Sequence, residues 1–93
     1  MTDFVFEPAS RMTFATVDAD IKRLAGFYRN TGQGSIIINL QAVQHCDSAG
    51  LALLIEAKRL AKRFNRPCRF TGMSRQLAAL AEFCRVNNLL AGE

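Results

Sequence analysis

The sequence predicts a small α/β domain, a single fold in which helices pack on a small mixed sheet. Three observations lead to it. Ser35-Ile36-Ile37-Ile38-Asn39-Leu40 is a β-branched, apolar run without alternation, the pattern of a central strand covered on both faces. On either side of it, apolar residues recur at helical spacing. Between these segments stand turn and break signals: Asn30-Thr31-Gly32-Gln33-Gly34, Arg66-Pro67 and Gly72.

Taken in order, Phe4-Val5-Phe6-Glu7 is a short strand stopped by Pro8, and Arg11-Met12 is a second, very short strand. Thr13 or Thr16 caps the helix that follows. Val17, Ile21, Leu24, Ala25 and Tyr28 fall on one face of that helix. Asp18 and Asp20 lie early in it, and Lys22, Arg23 and Arg29 later, as the helix dipole favours. The central strand comes next, then a long helix from about Ser48 to Phe64, broken at Arg66-Pro67. Its core stripe is Gly50, Leu53, Leu54, Ala57, Leu60, Ala61 and Phe64. Cys68-Arg69-Phe70-Thr71 is a further strand. Ser74 caps a last helix with Leu77, Leu80, Ala81 and Cys84 on its inner face, and Asn87-Asn88-Leu89-Leu90 packs back as a short strand or turn.

Ninety-three residues suit one domain, spanning 1–93. A chain of this size buries roughly 60–68% of its unfolded surface, enough to fold alone with a thin margin. No apolar run approaches the ~20 residues that span a bilayer. The N-terminal Met-Thr-Asp-Phe-Val-Phe-Glu-Pro lacks a basic segment followed by an apolar one, so the expected location is the cytoplasm. Cys46, Cys68 and Cys84 are widely spaced with no C-x-x-C, and with the single His45 they make no zinc set. They read as reduced, small, buried hydrophobes. The net charge of +4 points to nucleic acid, an anionic membrane surface or an acidic partner. Its spread along the chain, without interleaved aromatics, argues against nucleic acid. Gly32 and Gly34 form a lone G-x-G, a turn rather than a phosphate cradle, and no cofactor is expected.

The chemistry-bearing stretch is Asp47-Ser48 at the start of the long helix. Either side chain can cap that helix by accepting a bond from a free backbone N–H. A phosphate on Ser48 would add about −1.5 to −2 charges where a helix N-terminus stabilises them. Ser48, Leu51, Ala52, Ile55, Arg59 and Lys62 lie on the side of the helix turned away from the core stripe. Leu51 and Ile55 there form an apolar docking patch, or else a neighbouring helix covers them. Ser48 lacks a base: His45 is three residues away on the loop, without an orienting carboxylate. No catalytic set is visible, so no enzyme is expected.

Asn39-Leu40 followed by Asp47-Ser48-Ala49-Gly50-Leu51 resembles the signature of STAS domains, the sulfate-transporter and anti-sigma-factor-antagonist modules. The resemblance covers about Thr13 to Leu90 and implies a small sheet with packed helices. Thr13-Phe14-Ala15-Thr16-Val17, Gly50-Leu51-Ala52-Leu53-Leu54 and Leu77-x-x-Leu80-Ala81 look more like the MlaB-like branch. That branch implies a cytoplasmic subunit, held at the inner membrane only through its partner, that binds the ATPase of a phospholipid-transporting ABC system. The alternative it implies is an anti-sigma-factor antagonist, switched by a partner serine kinase that phosphorylates Ser48. The MlaB-like resemblance implies that the hydroxyl of Ser48 contributes to the ATPase contact, and the helix face itself extends the expected partner contact to Asp47, Leu51, Ala52 and Ile55, with Arg59 and Lys62 steering toward an acidic rim. The family pattern is departed from before Thr13, where the chain is short, and at His45 and Cys46.

Overall fold

The computed structural model describes residues 3–84. Along them run β1 (Asp3–Phe6), β2 (Arg11–Met12), α1 (Val17–Asn30), β3 (Ser35–Asn39), β4 (His45–Cys46), α2 (Leu51–Arg63), β5 (Cys68–Thr71) and α3 (Arg75–Phe83). The expected α/β class and element order are present, with β4 added where a loop was expected. The sheet is divided: β1, β3 and β5 form one sheet with β3 in the middle, and β2 pairs with β4 in a second. All of these pairings are parallel. Parallel neighbours require crossover connections, and α1 and α2 serve as those crossovers. The expected packing of Asn87–Leu90 lies outside the described residues.

The register sets Phe4, Ile36 and Cys68 in one row and Phe6, Ile38 and Phe70 in another. This face packs into a core with Leu24 and Tyr28 of α1 and Leu53, Leu54, Ala57 and Leu60 of α2. The intervening row, Val5–Ile37–Arg69, lies on the other face, where Ile37 is only half-buried and Val5 and Arg69 are exposed. The expectation that β3 is covered on both faces is therefore corrected. Three consecutive isoleucines hide the alternation that burial reveals, because β-branched residues suit either face of a pleat.

The helical stripes fall as their spacing predicts. Leu24 and Tyr28 are buried, with Val17, Ile21 and Ala25 packed beside them. The Tyr28 hydroxyl donates to the Ala57 carbonyl at 3.2 Å and so ties α1 to α2. Burial, reinforced by Cys68, pushes the phenol far above its ordinary pKa and keeps it a donor. Arg66, 6% exposed, holds the end of α1. Its Nε donates to the Gly34 carbonyl at 2.9 Å, and its Nη1 to the Tyr28 carbonyl at 3.0 Å and Thr31 Oγ1 at 2.9 Å. The bond to Tyr28 satisfies a carbonyl that the last turn of α1 leaves without a helical partner, and the other two tie the following loop to it. α2 ends where Asn65 takes a left-handed φ of 54°, a conformation asparagine tolerates better than most residues. At α3, Ser74 Oγ accepts from the Leu77 N–H at 3.0 Å, the expected cap. Thr16 occupies the cap position of α1, but its side chain caps nothing in the helix.

Candidate functional site

The short β2–β4 pair brings together two segments more than thirty residues apart in the chain. Arg11 lies opposite His45 and Met12 opposite Cys46. The residues after each strand, Thr13-Phe14 and Asp47-Ser48, are therefore neighbours. The Met12 carbonyl accepts from the Asp47 N–H at 3.2 Å and lies against Gly50 at the start of α2.

Residues 48–50 form a turn, and α2 begins at Leu51, three residues later than expected. Asp47 organises the turn. Its Oδ1 accepts from the Gly50 N–H at 2.9 Å, and its Oδ2 from the Phe14 N–H at 3.2 Å. These backbone donors hold its carboxyl below the usual carboxylate range. Asp47 thus closes the turn that leads into α2, whose N-cap Gly50 has no side-chain cap, while the exposed Ser48 hydroxyl bonds to no other described residue. A depressed carboxyl stabilises the fold fully above its unfolded pKa of about 4, and that contribution disappears as pH falls through the lower folded value. Asp47→Asn should therefore lower the urea midpoint at pH 6, and its difference from the parent chain should shrink as pH falls below about 4. A difference independent of pH would show that the charge of Asp47 does not matter.

The other proposed contacts separate. Ala52 is exposed and Ile55 half-buried. Arg59 and Lys62 are exposed farther along α2, and Arg59 pairs with Glu56 at 2.7 Å. An exposed pair of this kind contributes little to stability. Arg59 stands about 12 Å along the axis from Leu51 at 1.5 Å per residue. Leu51 is a correction: at 2% exposure it belongs to the core and cannot be part of a surface patch. It lies three residues before Leu54, which puts it at the edge of the buried stripe.

The large apolar side chain at this surface is one the sequence reading did not single out as a contact. Phe14 is 81% exposed. Its backbone is held on both sides, by Asp47 at its own N–H and by the Thr13–Thr16 turn around it. In that turn the Thr16 and Val17 N–H groups donate to the Thr13 carbonyl at 3.0 and 2.9 Å. Thr16 Oγ1 accepts from the Thr13 N–H at 3.0 Å and donates to the Arg11 carbonyl at 2.5 Å. The only sequence signal was an aromatic just outside the periodic apolar set of α1.

Beside Asp47 is a cleft of about 480 Å³ between the β2–β4 pair and the start of α3, lined by Arg11, Thr13, His45, Asp47, Ser74 and Leu77. Cys46 is half-buried at its edge. Burial, with Asp47 and Cys84 nearby, pushes its thiol up to about 11, so at neutral pH it is not a nucleophile. All three cysteines are free; Cys68 is buried, whereas Cys46 and Cys84 are only half-buried. Among the described residues no group of three or more His, Cys, Asp or Glu side chains is placed to hold a metal ion. Nor is any helix among them long and apolar enough to cross a membrane. The arrangement offers a preorganised aromatic, a carboxylate and an unengaged hydroxyl on one exposed surface.

Compared with known protein families, residues 2–91 match the STAS domain. No curated protein matches the chain.

Proposed function

Because this chain belongs to the STAS domain family, a family of small and generally non-catalytic binding modules, we propose that it is the accessory subunit of a phospholipid-transport ABC system. In this reading it binds the ATPase at the cytoplasmic face of the inner membrane and reaches the membrane only through that partner. The MlaB-like sequence features favour this branch. The observation that carries a docking role is Phe14, an exposed aromatic whose backbone is immobilised beside Ser48. Interfaces concentrate their energy in such anchors, and a preorganised anchor loses little entropy on binding. Ala52 and Ile55 extend the contact along α2, and Arg59 and Lys62 accelerate association with an acidic rim.

One observation favours the second reading, a kinase-switched anti-sigma-factor antagonist. The Ser48 hydroxyl is exposed and has no capping role, so a kinase can reach it without opening the helix. A phosphate there would stand beside the Asp47 carboxylate and repel an acidic partner.

The test is binding of the purified chain to the ABC ATPase and to the serine kinase of its own host. Phe14→Ala should weaken binding to the true partner at least about 30-fold, the loss of a hot-spot side chain worth about 2 kcal/mol. Ser48→Glu should weaken it comparably. Both variants should unfold at the parent's denaturant midpoint. Binding to neither protein, or undiminished binding by both variants, would refute the reading. Binding to the kinase with phosphate appearing on Ser48 would establish the second.

A further inference from the structure

On another part of the surface, α1 and the outer edge of β1 border a groove of about 760 Å³ that shares no residue with the cleft beside Asp47. Three features set it apart. β1 is the end strand of its sheet, and nothing among the described residues pairs with its outer edge. An unpaired edge is a row of free backbone donors and acceptors ready to take another strand. Val5 on that strand is 53% exposed.

The second feature is Gly26, which lies in the groove wall, in the interior of α1. Glycine is an unfavourable residue there and normally needs a packing reason. Among the described residues there is no packing reason: a Cβ at Gly26 would meet only Arg29 Nη2, at 3.9 Å. The residue keeps the groove open, and no described residue fills the space above it.

The third feature is charge. Lys22 lines the groove and Arg29 reaches over Gly26, and neither has a carboxylate partner among the described residues. Arg23 is already held, at 2.7 Å from Asp20 Oδ1 and 3.1 Å from the Glu7 carbonyl, with its guanidinium 4.9 Å from the Phe6 ring centroid. The acid of the groove, Glu7, accepts from Asn39 Nδ2 at 3.3 Å. The open valences of the groove are thus backbone groups, the exposed apolar surface of Val5 beside half-buried Phe27, and two cations.

We propose that this groove binds an extended acidic segment of a partner protein as an added strand along β1. β1 is ~13 Å long at 3.3 Å per residue, so backbone pairing covers about four residues of the segment. Alternate side chains of the segment enter the groove over Gly26, and its carboxylates meet Lys22 and Arg29. Backbone bonds supply affinity and the alternate positions supply selectivity, as in other strand additions. This surface is separate from the Asp47–Ser48 site, and the chain uses it whichever partner that site takes.

The test uses the isolated full chain, labelled with nitrogen-15, and two synthetic octapeptides, one alternating valine with glutamate and one alternating valine with lysine. With the glutamate peptide, the amide signals of Val5, Phe6 and Gly26 should shift saturably and the β1 amides should gain protection from exchange. The lysine peptide should bind at least tenfold more weakly. Gly26→Met should abolish binding by filling the groove, and the surface variant Lys22→Glu should weaken it at least threefold with the spectrum of the folded chain retained. Absence of shifts on β1, equal response to both peptides, or unchanged binding by either variant would overturn the proposal. So would protection of β1 that appears without peptide and grows with chain concentration, which would identify a second copy as the occupant.

Discussion

Gly50→Ala should destabilise the domain by about 3 kcal/mol or more, although alanine is the better helix former. The gain from helix propensity is at most about 1 kcal/mol, and less at the edge of a helix than in its interior. Against it stands a close approach of two backbones. A Cβ at Gly50 would overlap the Met12 carbonyl oxygen and come within 2.5 Å of the Met12 carbonyl carbon. Backbone cannot rotate aside as a flexible side chain can. Either β2 lifts from the turn or α2 starts elsewhere, and both displace Met12, which is buried in the core. Overpacking typically costs about 1–3 kcal/mol and more where nothing can yield. At roughly 4–8 °C per kcal/mol for a domain of this size, the thermal midpoint should fall by more than about 10 °C. Thermal unfolding followed by circular dichroism checks it, and a midpoint unchanged in Gly50→Ala would mean that β2 does not lie over this turn. Gly50 has an ordinary helical φ of −63°, so its requirement is for space and not for an unusual backbone conformation.

Leu51→Asp should unfold the chain, whereas Ala52→Asp, one residue later, should leave it folded. Removing a buried leucine costs about 2–5 kcal/mol. Placing a carboxylate in its position adds several more, because an ion taken out of water without a partner is poorly compensated. The sum rivals the entire stability of a small domain, about 5–15 kcal/mol. Ala52 is exposed and lies in the first turn of α2, where the helix dipole favours a negative charge. The pair separates fold from interface: if both variants lose the partner, only Ala52→Asp reports on docking. A folded Leu51→Asp with native denaturant sensitivity would contradict the burial of Leu51.

The site was partly legible in the sequence. Asp47 and Ser48 stood out because a short polar pair ahead of a periodic apolar run marks a helix start. That Asp47 would hold the turn before the helix, and neither residue cap the helix itself, was not legible, since both have the chemistry of a cap. Asp47 is engaged because Phe14, brought alongside by the β2–β4 pair, gives its second oxygen a donor, and no local rule links residues 33 apart. Leu51 was misplaced because its position borders the stripe, and burial at such a border depends on neighbours that helical spacing does not reveal. Phe14 was overlooked for the converse reason: a phenylalanine ahead of a helix looks like core until the turn that turns it outward is known.

By itself the sequence determined the α/β class, the order of elements apart from β4, the core faces of the helices apart from Leu51, and the signature that places the chain among STAS domains. These depend on hydrophobic periodicity and on turn and cap residues, which act over a few positions along the chain. Only the tertiary structure decided the division into two parallel sheets, the single covered face of β3, the burial of Leu51, the exposure of Phe14 and the need for glycine at position 50. Each of these depends on which distant segment arrives as a neighbour. Strand pairing and backbone approach are contacts between residues far apart in sequence, and a local pattern carries no record of them.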